Sequence, residues 1–276
     1  MNTSLPPLKE VIARYGLSAK KTLGQNFILD TNLLDKIVRS SKQRDPVPFE
    51  TGTVIEVGPG PGGVTRAILE NGAKALTVIE KDERCLELLQ DIQSAFPGRL
   101  TVLNTDALNV AADQLGSAPR SVIANLPYNV GTLLLTGWLK RIEAFSSFTL
   151  MFQKEVADRI LAPVNCKDYG RISILAQLQC NVERLLDLNP NCFVPAPKIW
   201  SSVLLFRPAD SQLTKEQLAK IEKLTSLAFG QRRKMIRQSL KSIPDLEAKC
   251  AQIGIQPSFR PEQITPRQFL ALANLI

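Results

Sequence analysis

The stretch VIEVGPGPGGVTRAIL, from Val54 to Leu69, joins a short apolar run to a glycine-rich turn and the start of a helical pattern. This order is typical of the first strand of an open parallel α/β sheet, whose turn delivers a ligand to a helix N-terminus. Gly58, Gly60 and Gly63 fit the G-x-G-x-x-G spacing, in which the missing side chains allow a tight turn and a close approach of backbone to ligand. The two prolines of the turn carry no N–H group, which leaves few donors for a phosphate. The stretch therefore favours a nucleoside ligand without a phosphate, and a plain connecting turn is the alternative.

Polar side chains stand at the ends of the next three apolar runs. Glu80 ends ALTVIE, Asp106 follows RLTVLN, and Asn125 ends SVIAN. Because ligands of an open parallel sheet bind at the carboxyl ends of its strands, we expect these three side chains to meet at one site. Glu80 lies about 20 residues after the glycine turn, the position of an acidic residue that accepts ribose hydroxyl protons. A chance array of polar loop residues is the alternative.

The composition indicates a globular protein, since 44% of the 276 residues are hydrophobic and 22% are charged. No apolar run approaches the roughly 18 to 20 residues of a membrane span, and the first residues lack the apolar core of a signal peptide, so we expect a cytoplasmic protein. Histidine is absent, which excludes the usual general base and the Ser-His and Cys-His nucleophile pairs. The five cysteines form no C-x-x-C pair, and we expect neither a disulfide framework nor a metal site.

The net charge of +8 is concentrated at the two ends of the chain. Residues 1–48 hold 8 Lys and Arg against 4 Asp and Glu, residues 49–207 hold 15 against 16, and residues 208–276 hold 11 against 6. A near-neutral middle between basic ends suggests a small-molecule site framed by surfaces for a polyanion such as nucleic acid. A merely solubilising surface charge is the other interpretation of this excess.

The motif NLPY, from Asn125 to Tyr128, is the most informative stretch of the chain. The side-chain oxygen of Asn125 and the carbonyl before Pro127 can accept the two hydrogens of an exocyclic amine, and Tyr128 offers an aromatic face to a purine. Adenine N6 is a weak nucleophile because its lone pair is delocalised into the ring, and two acceptors favour a more tetrahedral nitrogen. A methylated ammonium on adenine is acidic, so its proton leaves without a histidine. A proline turn after a strand is the structural alternative.

At this point the motifs resemble a known family. The segments LGQNF, EVGPGPGGVT, VIEKD, NTDAL, NLPYN, MFQKEVADR, YGRISILAQ and FVPAPKIWSSV look like the successive motifs of the ribosomal RNA adenine N6,N6-dimethyltransferases. The resemblance covers almost the whole chain and is specific to the small-subunit branch, which FGQRRKMIRQSL and FRPEQITPRQF also resemble. It implies an α/β fold: a Rossmann-like class I methyltransferase sheet with an N-terminal arm over residues 1–207, and a small all-α RNA- or ribosome-binding domain over residues 208–276.

The resemblance also implies an activity and a cofactor. The chain is expected to transfer methyl groups from S-adenosyl-L-methionine to N6 of two adjacent adenosines near the 3′ end of small-subunit ribosomal RNA. Glu80 would hold the ribose and Asp106 the adenine amine of the cofactor, while Ile28 stands where many relatives have leucine and would act through its backbone. The residues implied for cofactor binding are Gln25, Asn26, Ile28, Gly58, Gly60, Glu80, Lys81, Asp106, Ala107 and Asn125.

For the target adenine, the resemblance implies a pocket made of Asn125, Leu126, Pro127 and Tyr128, with Phe193 stacking on the other face of the base. The expected partner is small-subunit ribosomal RNA within an immature small subunit, bound by a monomer that uses neither metal nor membrane. A broad basic face is expected on a helix over QRRKMIRQSLK. The residues expected to contact RNA are Lys20, Lys21, Lys154, Arg159, Arg232, Arg233, Lys234 and Arg237.

Two local predictions concern elements away from the site. TNLLDKIVRSS predicts a helix capped at Thr31 or Asn32. The run SVLLFRP at 202–208 predicts a final strand that closes the sheet.

Other functions stay open at this stage. The large-subunit branch that confers resistance to ribosome-directed antibiotics shares the chemistry, but the C-terminal domain and the PAPK segment favour the small-subunit branch. A DNA adenine methyltransferase would need a separate target-recognition domain. A non-catalytic assembly factor is disfavoured by the intact Glu80, Asp106 and NLPY, and a nicotinamide dehydrogenase by the prolines of the glycine turn.

Overall fold

The chain forms two compact units. The computed structural model describes residues 5–20, 24–210 and 212–276. The first unit comprises Met1–Lys154 and Glu183–Arg207, and the second comprises Glu155–Val182 and Pro208–Ile276. The expected boundary after residue 207 coincides with one limit of the second unit, but residues 155–182 differ from the prediction by joining that unit. The physical reason is burial, because side chains of this segment belong to the apolar cluster of the C-terminal helices.

A seven-stranded sheet positions the site. Its strands stand in the order β4-β3-β2-β5-β6-β9-β7, and β2, β3, β4, β5 and β6 pair in parallel. A separate antiparallel pair joins β1 to β8. The strands are β1 (Phe27–Ile28), β2 (Thr53–Val57), β3 (Leu76–Glu80), β4 (Leu100–Asn104), β5 (Arg120–Asn125), β6 (Ser147–Gln153), β7 (Cys180–Leu188), β8 (Phe193–Val194) and β9 (Ser201–Pro208).

The last strand differs from the prediction. Strand β9 does not close the sheet; it lies between β6 and β7, antiparallel to β6, with Leu204 opposite Leu150. Residues 201–206 of β9 are all buried, whereas β7 is half-buried or exposed except at its two end residues. A strand buried on both faces requires neighbours on both sides, so the more polar β7 takes the edge.

The predicted helices of the first unit are present, with one change of cap. Helix α2 begins at Thr31 and is capped by Asp30 rather than by Thr31 or Asn32, because the Asp30 carboxylate accepts the backbone N–H groups of Asn32 and Leu33 at 2.9 and 3.1 Å. Helix α4 begins at Gly63, as the glycine motif predicts. The helices are α1 (Leu8–Arg14), α2 (Thr31–Arg44), α3 (Val47–Glu50), α4 (Gly63–Glu70), α5 (Leu86–Ala95) and α6 (Gly131–Leu139). The next helix, α7 (Lys154–Leu161), belongs to the second unit except for its first residue.

The second unit is helical, but its basic segment is not one helix. Helix α9 ends at Gly230, residues 231–234 form a turn, and α10 spans only four residues. Met235 has an extended backbone, and the N–H groups of Ile236 and Arg237 donate to the carbonyls of Phe259 and Pro257 at 2.8 and 3.2 Å instead of continuing a helix from Gln231. The helices are α8 (Arg171–Gln179), α9 (Lys215–Gly230), α10 (Ile236–Ser239), α11 (Leu246–Gln252) and α12 (Pro266–Asn274). Over the described parts of the chain, no helix combines the length and the apolar character that crossing a membrane requires.

Candidate active site

An open cleft lies where the order of the sheet reverses, at the carboxyl ends of β2, β3 and β5. This switch point is where open α/β sheets bind ligands, because the connections diverge to either side of the central strand. The cleft encloses about 1170 Å³ of empty space, with open solvent included. It is lined by residues 24–28, the glycine turn, Glu80 and Lys81, residues 105–108, and the NLPY motif with the residues after it.

The glycine turn uses its own N–H groups. Gly58 and Gly62 each donate to a backbone carbonyl at 2.9 Å, and Gly60 donates to a carboxylate oxygen of Glu80 at 2.9 Å. Gly58 and Gly60 have φ angles of +70° and +51°, which favour glycine. Because these three donors are satisfied within the protein, they are not available to a phosphate. The structure therefore supports the prediction of a ligand without a phosphate.

Glu80 is a buried carboxylate that joins two segments of the cleft. One oxygen accepts the Gly60 N–H, and the other accepts the Asp82 N–H at 2.7 Å. Burial raises the pKa of Glu80, and these two hydrogen bonds oppose that shift. A carboxylate has about four acceptor positions. The two left over can accept the paired hydroxyls of a ribose, as the position of Glu80 in the sequence predicts.

Glu56 is a second buried acid of the cleft, which the sequence reasoning missed. It lies within β2, is 1% exposed, and accepts the Thr65 hydroxyl at 2.6 Å. Burial raises the pKa of Glu56 to about 8, and the nearby charge of Glu80 adds to the shift. The side chain is therefore mostly neutral at pH 7. The one available signal was a single acid inside the apolar run VIEV.

The segment before β1 is tied down by its own side chains. The Gln25 amide donates to Asp82 at 3.0 Å and accepts the Lys20 backbone N–H at 2.9 Å. The Arg84 guanidinium lowers the pKa of Asp82 to about 2, so this acceptor stays ionised. The amide of Gln25 thus has a structural role, and Ile28, which is 4% exposed, faces the core. A ligand would therefore meet the backbone atoms of these two residues rather than their side chains.

Asn125 connects this segment to the NLPY motif. Its amide nitrogen donates to the Asn26 carbonyl at 3.0 Å, so the amide oxygen of Asn125 points away from that carbonyl. A Cβ atom on Gly24 would lie 3.1 Å from the side-chain oxygen of Asn129, so the two segments pack in direct contact. Among the described residues, none donates to the Asn125 side-chain oxygen or to the Leu126 carbonyl. Both residues line the cleft and offer a pair of acceptors.

Tyr128 is held beside these acceptors. Its hydroxyl lies 2.8 Å from the Ser201 hydroxyl, and burial raises the pKa of Tyr128. The Pro127 carbonyl accepts the N–H groups of Val130 and Gly131 at the start of α6, which fixes the turn of the motif. Tyr128 is half-buried and lines the cleft, so part of its surface is available to a base. Ser201, whose part in this arrangement the sequence did not reveal, orients the tyrosine.

The sequence matches that of a known protein family. The family model of the ribosomal RNA adenine dimethylases matches residues 16–276. The chain belongs to this family. It is 49% identical to ribosomal RNA small subunit methyltransferase A of Rhodospirillum rubrum, over 99% of this chain and 93% of that protein. It is 50% identical to the protein of the same name from Azorhizobium caulinodans, over 98% of this chain and 92% of the other.

A solved structure confirms the predicted fold class. A dimethyladenosine transferase from Plasmodium falciparum superposes with a TM-score of 0.73, covers 89% of this chain and 95% of its own, and shares 24% sequence identity. At this identity the likeness concerns the fold alone. The α/β sheet expected of a dimethylase is thus the one observed.

Phe193 differs from the expected role in this dimethylase. Its side chain is 2% exposed, belongs to the main apolar core, and does not line the cleft. The backbone of Phe193 pairs with Ile28, so strand β8 holds the segment that carries the Asn26 carbonyl. The expected stacking wall for the target base is therefore not found at this residue. A phenylalanine before a proline-rich loop can be buried or exposed, and the sequence alone does not distinguish the two cases.

Asp106 and Lys81 form an ion pair at the cleft. One Asp106 oxygen accepts from the Lys81 ammonium at 2.7 Å, and the other accepts the Leu108 N–H at 3.0 Å. The hydrogen bond from Lys81 lowers the pKa of Asp106, so the carboxylate is charged at neutral pH. Each oxygen keeps an acceptor position for an amine, and Ala107 lies next to it in the cleft lining. The predicted cofactor residues Lys81, Asp106 and Ala107 are thus together.

The cations predicted to contact RNA have different surroundings. Lys20, Arg159, Arg233, Lys234 and Arg237 are exposed, and Lys154 is half-buried at the start of α7. Lys21 lies outside the described residues. Arg232 is half-buried, and its guanidinium donates to the Cys166 carbonyl at 3.2 Å and lies over the Phe229 ring. Its contact with RNA stays a prediction.

The charge of the lining tests whether the residues fit S-adenosylmethionine. The described lining contains the carboxyl groups of Glu56, Glu80 and Asp106 and a single basic side chain, that of Lys81. Such a lining suits a ligand that has a ribose and a positive charge. The N–H groups of the glycine turn that already have partners within the protein suit a ligand without a phosphate. The residues present therefore fit the cofactor. Within the described ranges, no three His, Cys, Asp or Glu side chains are arranged to hold a metal ion.

Proposed function

We propose that this dimethylase transfers methyl groups from S-adenosylmethionine to N6 of two adjacent adenosines near the 3′ end of small-subunit ribosomal RNA. The observation that carries the proposal is the pair of acceptors formed by the Asn125 side-chain oxygen and the Leu126 carbonyl, beside the ring of Tyr128. An exocyclic amine with two N–H groups is the complement of such a pair. The small-subunit relatives at about 49% identity support the choice of RNA.

The cofactor would be held by groups that the cleft already presents. Glu80 accepts the ribose hydroxyls, Asp106 accepts the adenine amine, and the backbone of the glycine turn lies against the nucleoside. S-adenosylmethionine supplies an electrophilic methyl group, already activated by its sulfonium. Asn26 acts indirectly, because its carbonyl fixes the Asn125 amide at 3.0 Å. The hydrogen bond from the Asn125 amide nitrogen to this carbonyl fixes the direction of the Asn125 side-chain oxygen, which would otherwise rotate freely.

The protein residues act on the target amine by position. The two acceptors hold the N6 hydrogens, which draws the nitrogen toward a tetrahedral shape and directs its lone pair to the methyl donor. Tyr128 packs on the base, and its bond to Ser201 fixes the ring. After transfer, the acidic N6 proton leaves to solvent, so the absence of histidine is no obstacle. At the second methylation the amine has one hydrogen, and one acceptor becomes dispensable.

The proposed partner is ribosomal RNA within an immature small subunit, bound in the cytoplasm by a monomer of the protein. The exposed cations Arg233, Lys234 and Arg237 on the turn and helix after α9 support phosphate contact. No metal is required by this scheme, because an activated methyl group needs no Lewis acid. Binding to the immature subunit gives the protein a role in small-subunit biogenesis besides methylation.

The test is transfer of labelled methyl groups to small subunits isolated without the modification, followed by nucleoside analysis. Label in dimethyladenosine at two adjacent positions is expected. Asn125→Ala should lower kcat/KM about 10- to 100-fold, since one oriented acceptor is lost. Asn181→Ala, which removes an exposed amide from β7, serves as the matched control and should leave the rate unchanged.

Two results would contradict the proposal. Full activity of Asn125→Ala at both methylations would remove the assigned role of the acceptor pair. Cofactor binding without label in any ribosomal RNA would instead point to a non-catalytic assembly factor.

A further inference from the structure

The segment between β8 and β9 exposes apolar side chains, and we name residues 194–200 the rim loop. Val194 is 52% exposed, Ile199 37% and Trp200 46%. Tryptophan has the largest surface to bury, so a half-exposed tryptophan next to other open apolar groups is typical of a binding surface. The neighbours of the loop indicate what it binds.

Both ends of the rim loop meet the wall of the cleft. At its start, Val194 pairs with Phe27, a residue of the cleft lining. At its end, the next residue Ser201 places its hydroxyl 2.8 Å from that of Tyr128. The loop therefore borders the place where the target adenine is proposed to bind. Whatever continues out of that pocket passes this loop.

The backbone of the rim loop is constrained before any ligand arrives. The Trp200 carbonyl accepts the Lys154 N–H at 2.8 Å, which anchors the residue to the end of β6. Pro195 and Pro197 limit the backbone angles of the loop. A ring presented on such a loop loses little conformational freedom on binding.

The charge of the segment favours RNA over an acidic or purely apolar partner. Residues 189–200 contain one cation, the exposed Lys198, and no Asp or Glu. Unpaired RNA bases are commonly bound by stacking on aromatic side chains, with cations on the adjoining phosphates. An exposed tryptophan beside a cation, next to the pocket proposed for the target adenine, therefore favours a further nucleotide of the same RNA.

We propose that the rim loop binds the unpaired nucleotide next to the target adenosine, with its base stacked on Trp200 and its phosphate close to Lys198. This inference rests on the proposed function, because the target adenosine defines which nucleotide is its neighbour. Trp200 is then a substrate-positioning residue outside the chemistry. For two adjacent adenosines, one is held in the cleft while the other lies on the rim loop.

The kinetic test uses the full chain with unmethylated small subunits. Trp200→Ala should raise KM about tenfold, as expected for loss of one stacked base, and leave kcat within about twofold. Trp200→Phe retains an aromatic face and should restore most of the affinity. Val47→Ala removes a side chain of similar exposure, 47%, from α3 and serves as the matched control with unchanged KM.

A spectroscopic test separates stacking from a structural role. Trp138 is 7% exposed, so quenching of tryptophan fluorescence by a ligand reports chiefly on Trp200. Titration with a single-stranded RNA oligonucleotide containing two adjacent adenosines should quench the unsubstituted protein. The quench should disappear in Trp200→Phe, although that variant still binds.

Each outcome decides between the proposals. An unchanged KM in Trp200→Ala, or a quench that survives in Trp200→Phe, overturns the stacking role while the proposed function stands. A dimer that dissociates in Trp200→Ala assigns the rim loop to a second copy of the chain and also overturns it. Quenching by the oligonucleotide, with no methyl transfer to unmethylated small subunits, overturns the proposed function and with it the assignment of the bound nucleotide, and leaves Trp200 as an RNA-stacking residue only.

Discussion

Replacing Glu56 by glutamine should change how the stability of the first unit depends on pH. The carboxyl is 1% exposed and its pKa is raised from 4.5 to about 8 by burial. A group whose pKa is higher in the folded state than in the unfolded chain contributes stability below the unfolded value and loses it as pH rises through the folded value. The wild-type protein should therefore lose stability from about pH 4.5 up to pH 8.

The size of this stability change follows from the raised pKa of Glu56. A rise of about 3.5 units, at about 1.4 kcal/mol per unit, amounts to about 5 kcal/mol in the free energy of unfolding. Of this, about 3 to 4 kcal/mol falls between pH 5 and pH 8. Glutamine does not titrate and still offers an oxygen to the Thr65 hydroxyl. The difference in stability between Glu56→Gln and wild type should therefore grow by that amount over this range, in favour of the variant.

The assay is urea unfolding at each pH without cofactor, followed by tryptophan fluorescence. Both tryptophans, Trp138 and Trp200, lie in the first unit, so the signal reports on that unit. The other titrating groups are shared by wild type and variant, and they cancel in the difference. Glu50→Gln, which removes an exposed acid from α3, is the control and should follow the wild-type curve. Parallel curves for Glu56→Gln and wild type between pH 5 and pH 8 would refute the reasoning.

Two further predictions concern the cofactor side of the cleft. Glu80→Gln should weaken S-adenosylmethionine binding about 10- to 100-fold, measured by calorimetry, because hydrogen bonds to a charged acceptor are lost. The control Glu83→Gln changes an exposed acid and should bind the cofactor normally. Equal affinities of the two variants would show that Glu80 does not bind the ribose. Gly60→Ala and Gly98→Ala both place a Cβ at positive φ, about 1 to 2 kcal/mol of strain, but only at Gly60 does the new atom meet another side chain, at 3.1 Å from the Phe27 ring. Gly60→Ala should therefore show the larger fall in Tm and a loss of cofactor binding, and matching behaviour of the two variants would show that the close approach is unimportant.

Several parts of the site could be predicted from local pattern. The glycine spacing places Gly58 and Gly60 in a turn at positive φ, since L side chains disfavour that backbone. Apolar runs followed by Glu80, Asp106 and Asn125 place these side chains at one edge, because parallel strands end together. These predictions required only residue type and order along the chain.

Other features depended on partners distant in sequence. Phe193 was expected to face a base and is 2% exposed in the core. Arg232 donates to the Cys166 carbonyl, 66 residues away, a contact that the sequence did not reveal. The basic segment after Gly230 was expected to be one helix, but it is interrupted where the N–H groups of Ile236 and Arg237 donate to the distant carbonyls of Phe259 and Pro257. No local pattern contains the identity of such partners.

The sequence by itself determined the strand, glycine turn and helix of the first unit, the ligand-binding edge and the identity of the acceptor motif, because these follow from periodicity, glycine and strand ends. The tertiary structure alone decided which polar groups were already satisfied. It turned the Asn125 amide toward Asn26, directed Gly60 to Glu80 and made Glu56 a neutral acid. The physical reason is that hydrogen-bond partners and desolvation depend on what folding brings together, and both act through space rather than along the chain.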